Sequence, residues 1–147
     1  MHQSQYKKLV PMVILSFIAM YFLMFAMVNS MSNIFIGVNQ FYMAGLMTAP
    51  MIIIELLVMS GMYMNKKLNV IIIALSIVFG LSFFMLIRNQ TAIGDGEFLK
   101  SMIPHHAGAI LMCEKAKLQD AEIKKLCNGI ISGQQNEIDF MKNKLNQ

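Results

Sequence analysis

Charge is scarce in this chain: 14% of its 147 residues are Asp, Glu, Lys or Arg, and 56% are hydrophobic. That balance excludes an ordinary soluble globular domain and indicates a membrane protein. Charge is almost absent from three apolar runs, residues 9–28, 41–64 and 68–87, where Glu55 stands alone. Each run reaches the ~20 residues that a helix needs to cross a bilayer. Cysteine is scarce as well. The chain has only Cys113 and Cys127 and no Cys-x-x-Cys pair, which argues against a structural zinc site of four regularly spaced Cys and His ligands. Residues 26–30 lack an Ala-x-Ala cleavage pattern, so the first run reads as a retained anchor rather than a signal peptide. There are no repeats and no strand signals outside the apolar runs. Neither a nucleophile–base–orienter triad nor a phosphate-binding loop is visible, so no enzyme activity is assigned.

The net charge of +4 invites a nucleic-acid reading, which the distribution of charge rejects. Residues 94–147 carry seven lysines and seven acids and are neutral. The excess comes from Lys7, Lys8, Lys66, Lys67 and Arg88, all flanking apolar runs, less Glu55. Basic residues in those positions report topology, not phosphate binding. The positive-inside rule puts the N-terminus and the Lys66–Lys67 loop in the cytoplasm, and the uncharged stretch 29–40 and everything after Arg88 outside. The expected location is a bacterial inner or plasma membrane, with the lipid bilayer itself as one partner.

The chain therefore divides into a transmembrane unit, residues 1–90, and an external unit, residues 94–147, joined by a polar linker over 89–96. The expected fold class is all-α: three membrane helices followed by a helical hairpin. Asp95 is a candidate N-cap for a helix over 96–117, and Asp120 for a helix over 121–145. Pro104 leaves two readings, a helix that starts near it or one that runs through it with a kink. A hairpin of about 50 residues buries little core alone, so it should dimerise into a four-helix bundle or pack on the membrane unit.

Met102, His105, His106, Met112 and Cys113 fall within twelve residues. Thioether, imidazole and thiol are the donors preferred by a soft monovalent ion such as Cu(I). At about 100° per residue, Met102, His106 and Cys113 share one helical stripe, and His105 and Met112 share the next. On the following helix Cys127, Gln134 and Met141 recur every seven residues. Folding back at Gln119–Asp120 brings Cys113 near Cys127, His106 near Gln134, and Met102 near Ile138 to Met141. The stripes converge on one seam.

The segment 98–112, Phe-Leu-Lys-Ser-Met-Ile-Pro-His-His-Ala-Gly-Ala-Ile-Leu-Met, followed by 131–141, Ile-Ser-Gly-Gln-Gln-Asn-Glu-Ile-Asp-Phe-Met, resembles the ferritin-like family called domain of unknown function 305 (DUF305). Some members are periplasmic proteins that bind copper through Met and His. The resemblance covers about residues 95–146. It implies a ferritin-like half-bundle with Met102, His105, His106, Met112 and Met141 facing the metal, and Gln134 and Glu137 in support. The chain departs from the family at Cys113 and Cys127, where small residues are usual. The two cysteines are expected either to form a disulfide or to add thiolates to the site.

Sixteen methionines extend the pattern into the membrane. Met20, Met24, Met27 and Met31 lie within about 60° of arc on a continuous helix. Met43, Met47, Met51, Met59 and Met62 make a broader stripe that includes Glu55. An intramembrane carboxylate is by default a functional candidate, here read as near mid-membrane. The leading expectation is a membrane-anchored protein that binds copper as Cu(I), with silver fitting the same donors and zinc ranking lower. It would handle metal outside the cytoplasm as a homo-oligomer. The alternatives are a transporter or transporter subunit using Glu55 and the methionine stripes, and a dimerising interaction or sensor module with structural histidines.

Overall fold

A computed structural model describes residues 3–147, with side chains from residue 5. Five α-helices follow one another: α1 (Gln3–Leu23), α2 (Val38–Val58), α3 (Lys66–Arg88), α4 (Asp95–Lys115) and α5 (Ala121–Leu145). Two short 3-10 turns, Met24–Met27 and Met31–Asn33, separate α1 from α2. Among the described residues there is no strand, and the all-α expectation holds at that level. Three segments, Gln5–Met27, Val38–Val58 and Lys66–Arg88, are long and apolar enough to cross a membrane. The chain forms two compact units.

The first unit comprises α1 and residues 39–91. Its apolar side chains largely face outward, as with Leu15, Leu57 and Leu75, which suits a lipid environment because hydrocarbon solvates them as well as protein does. Helices in such a medium gain from close approach, and small residues permit it. Gly45 lies directly under the Phe83 ring: a Cβ there would stand 2.5 Å from Phe83 Cε2. A Cβ on Gly80 would meet that of Ala49 at 3.0 Å. A second contact zone gathers Leu9, Leu56 and Tyr63 in a buried cluster with Ile52 and Ile72 around it.

A polar network closes one end of this unit. The Tyr6 hydroxyl donates to Asn69 Oδ1 at 2.6 Å and accepts from the Asn65 N–H at 3.2 Å. Asn69 Nδ2 donates to the Tyr63 carbonyl at 2.7 Å, and the Tyr63 hydroxyl donates to Glu55 Oε1 at 3.2 Å. Asn65 caps α3 by accepting from the Leu68 N–H. Lys7 and Lys8 adjoin Tyr6, and Lys66 and Lys67 adjoin Asn65, so four lysines share that end. Glu55 belongs there too. The second apolar run was expected to stay helical to residue 64, which centred Glu55 in the membrane. Instead α2 ends at Val58, the chain turns through Met59–Met62, and Glu55 sits in the last turn of α2 with Tyr63 folded back onto it.

The second unit contains residues 24–38 and 92–147. This departs from the expected division, which gave everything before residue 90 to the membrane unit. The α-helix stops at Leu23, and the Asn29–Asn33 stretch of Asn and Ser breaks the chain into turns. Val28 and Phe35, on either side of that stretch, pack against a core of Ile103, Ala107, Ile110, Ile138 and Met141. Gly108 faces the Met27 carbonyl, 3.5 Å from where a Cβ would stand. The Val38 N–H donates to Glu97 Oε2 at 2.8 Å. One methionine stripe is lost in consequence: Met24, Met27 and Met31 lie in 3-10 turns rather than on one α-helical face with Met20.

Candidate metal centre

α4 and α5 form the hairpin that carries the histidine–methionine motif. Gly94, not Asp95, is the N-cap of α4, and it makes no side-chain cap bond. Asp95 and Glu97 instead occupy the first turn, where carboxylates interact favourably with the helix dipole. Glu97 accepts from Lys100 Nζ at 2.8 Å and from the Val38 N–H, and these two bonds hold its carboxyl below the usual carboxylate range. Pro104 lies inside α4, which runs through it. Asp120 caps α5, its Oδ1 accepting from the N–H groups of Glu122 (2.8 Å) and Ile123 (3.0 Å).

The hairpin is pinned near its turn by a disulfide between Cys113 and Cys127, whose Cα atoms are 5.3 Å apart. Of the two expected roles for the cysteines the structure adopts this one, and no thiolate is available to a metal while the bond is intact. Cys113 and Cys127 thereby leave the candidate ligand set.

His106 is the buried histidine, 8% exposed, and both ring nitrogens are engaged. Nδ1 lies 2.9 Å from the Met102 carbonyl oxygen, and Nε2 lies 2.7 Å from Glu137 Oε2. A carbonyl can only accept, so Nδ1 carries a hydrogen. Nε2 faces the Glu137 carboxyl, which closes the other side of the ring. The expected neighbour was Gln134; the actual partner lies three residues further along α5, nearly one helical turn. The Met102 carbonyl, on the preceding turn of α4, fixes the ring orientation.

The remaining candidates are distributed around this pair. Met141 is buried and Met102 half-buried against the core of the unit. His105 is exposed, its ring centroid 6.0 Å from that of His106. Met112 is 53% exposed. The Glu137 side chain is 60% exposed on the open side of the pair. Among the described residues, no three His, Cys, Asp or Glu side chains converge into a group able to hold a metal ion. Any soft-metal site here therefore rests on a histidine with thioethers. That combination suits Cu(I) and Ag(I) and is poor for zinc.

The contribution of residues 24–38 to this unit escaped the sequence reading. The signal that marks it is the cluster of Asn and Ser over 29–33, a breaker between apolar stretches.

A family model described as a domain of unknown function (DUF305) matches residues 84–145. An uncharacterized protein of Acanthamoeba polyphaga mimivirus is 38% identical over 140 residues, an alignment covering 92% of this chain and 90% of that protein. No solved structure matches the chain.

Proposed function

The chain belongs to the DUF305 family, and from that premise we propose that it is a membrane-anchored protein that binds a soft monovalent metal, copper or silver, as cargo. The observation that carries the reading is the setting of His106. Its Nδ1–H is anchored to the Met102 carbonyl, and Nε2 faces Glu137 on α5. That arrangement, one imidazole nitrogen tied to a backbone carbonyl and the other left for the ion, is how ligating histidines are commonly oriented. Here Nε2 is covered by Glu137, an exposed and rotatable side chain. Turning Glu137 outward uncovers a nitrogen donor on a helix that also carries Met102, His105 and Met112, opposite Met141. Glu137 and Gln134 then act as polar support around the ion.

The basic end of the membrane unit, with Lys7, Lys8, Lys66 and Lys67 together, faces the cytoplasm in this reading, and the hairpin handles metal on the opposite, oxidising side. Thioethers suit that side because they do not form disulfides and bind at any pH. The hairpin serves as half of a four-helix bundle.

One observation favours a second reading, a structural hairpin without metal: both His106 nitrogens are already satisfied within the protein. Anaerobic Cu(I) titration of the full chain in detergent, against a competing chelator, separates the two. The metal reading expects stoichiometric binding that is lost in the His105→Ala/His106→Ala variant. Binding unchanged by that double substitution, or no binding to the wild type, overturns it in favour of the structural hairpin.

A further inference from the structure

We infer that the exposed face of α5 docks against the same face of a second copy of this chain, antiparallel and crossing near Gly133. The inference deepens the half-bundle reading above and rests on it for the partner's identity.

The face is open, with two large apolar side chains along it and Asn136 and Glu137 at its edges. Leu126 is 62% and Phe140 60% exposed. At about 100° per residue, Glu122, Leu126, Gly129, Gly133, Phe140 and Lys144 fall within about 60° of arc. This arc is turned away from Ile131, Ile138 and Met141, which line the core side of α5. A Cβ built on Gly129 or Gly133 meets nothing within 4 Å. The missing side chain at Gly129 leaves a groove lined by Glu122, Lys125, Leu126, Gly129 and Ile130. Two helical turns beyond Gly133 on the other side, Phe140 stands out beside Phe98 and Lys144.

Groove and projection are self-complementary. In an antiparallel pair crossing at Gly133, residues whose numbers sum to 266 face one another. Phe140 of one copy then meets Leu126 and the groove over Gly129 of the other. The same register sets Glu122 opposite Lys144, twice by symmetry. The acidic first turn and basic last turn of α5 lie against their opposites, and the two helix dipoles run antiparallel. A parallel pairing would instead put like charges side by side. Antiparallel helices meeting at small residues pack closely, and a two-fold pair makes the face isologous. A hairpin whose buried core is five residues gains the apolar cover that it lacks alone.

The test is disulfide trapping of the full chain in detergent, without metal. Gly133→Cys lies at the crossing point and cross-links to its own copy under mild oxidation with diamide. Gln135→Cys, on the opposite flank of α5, does not. Charge exchange supplies a second measurement on the Gly133→Cys background. Glu122→Lys or Lys144→Glu alone lowers the cross-linked yield several-fold, and the two together restore it. Peptide mapping that finds the Cys113–Cys127 bond intact verifies the fold of each variant. Equal trapping at Gly133 and Gln135, no trapping at Gly133, or a double exchange that fails to restore the yield overturns the inference. Because no metal is present, those failures leave the copper reading standing. Lost copper binding with trapping intact overturns only the latter.

Discussion

Replacing both Cys113 and Cys127 by serine should destabilise the hairpin by about 3 kcal/mol. The bond joins residues 14 apart, and the entropy of closing a loop of about 15 residues in the unfolded chain corresponds to about 3 kcal/mol at 25 °C. Serine nearly preserves the volume at both positions, so no large cavity adds to the figure. The loss is large for this unit, because its buried core is five residues and small cores supply only a few kcal/mol. The measurement is hydrogen exchange read by mass spectrometry on peptides covering α4 and α5, in detergent, with α3 peptides as an internal reference. About 3 kcal/mol corresponds to roughly 100-fold faster exchange where opening of the hairpin is the route. Protection in α5 around Ile138 should fall by that factor while α3 keeps its own. Unchanged protection in α5 would refute the reasoning, and equal loss in α3 would show that the two units do not open separately.

Three further outcomes follow from the packing and electrostatics. Glu97 is held below the usual carboxylate range chiefly by Lys100 and then by the Val38 N–H, so its folded state binds a proton less readily than the unfolded chain. Its stabilising contribution is fully present above the unfolded value of 4.5 and is lost as pH falls through the lower folded value. Hairpin protection should therefore drop below about pH 4.5 in the wild type, and Glu97→Gln should flatten that part of the profile. Gly45→Ala forces a Cβ into the Phe83 ring and should lower stability by about 1–3 kcal/mol, read as a reduced melting temperature in detergent; Phe83→Leu in the same chain should recover part of it, and a Gly45→Ala protein as stable as the wild type would contradict the close packing of α2 on α3. Ile138→Ala, at a fully buried position, should cost about 2–5 kcal/mol and abolish most α5 protection, whereas Ile123→Ala at an exposed position should leave it near the wild type.

Much of the hairpin was legible in the sequence because its signals are local. Asp120 reads as a cap, and the α5 bounds follow from it. The seven-residue recurrence of Cys127, Gln134 and Met141 marks the face that meets α4, and the nearness of Cys113 to Cys127 follows from folding two such faces together; that they form a disulfide rather than two thiolates comes from the structure. The register of the hairpin was legible too, since Cys113 and Cys127 meet where folding back at Gln119–Asp120 puts them. The side-chain partner of His106 was not, because the long Glu137 side chain reaches the ring from a turn further along α5 than Gln134. The membrane unit shows the complementary limit. Apolarity finds the three helices long enough to cross a membrane but does not distinguish a helix from an apolar turn. Residues 59–64 carry no charge and so prolong the apolar run, yet they leave the helix around Ser60–Gly61, which moves Glu55 from the middle of a run to the last turn of α2. Residues 24–28 likewise leave α1 to join the second unit. Their partners Ile103, Ala107 and Ile110 are about 80 residues away in sequence, and no periodicity encodes so distant a contact.

The most direct test of the central claim is X-ray absorption at the copper edge on the full chain loaded with one equivalent of Cu(I). The account predicts a first coordination shell containing both sulfur and nitrogen scatterers, with the nitrogen contribution removed in His106→Ala and the Cys113–Cys127 bond still intact by peptide mapping. A shell without sulfur, or one unchanged by His106→Ala, would contradict it.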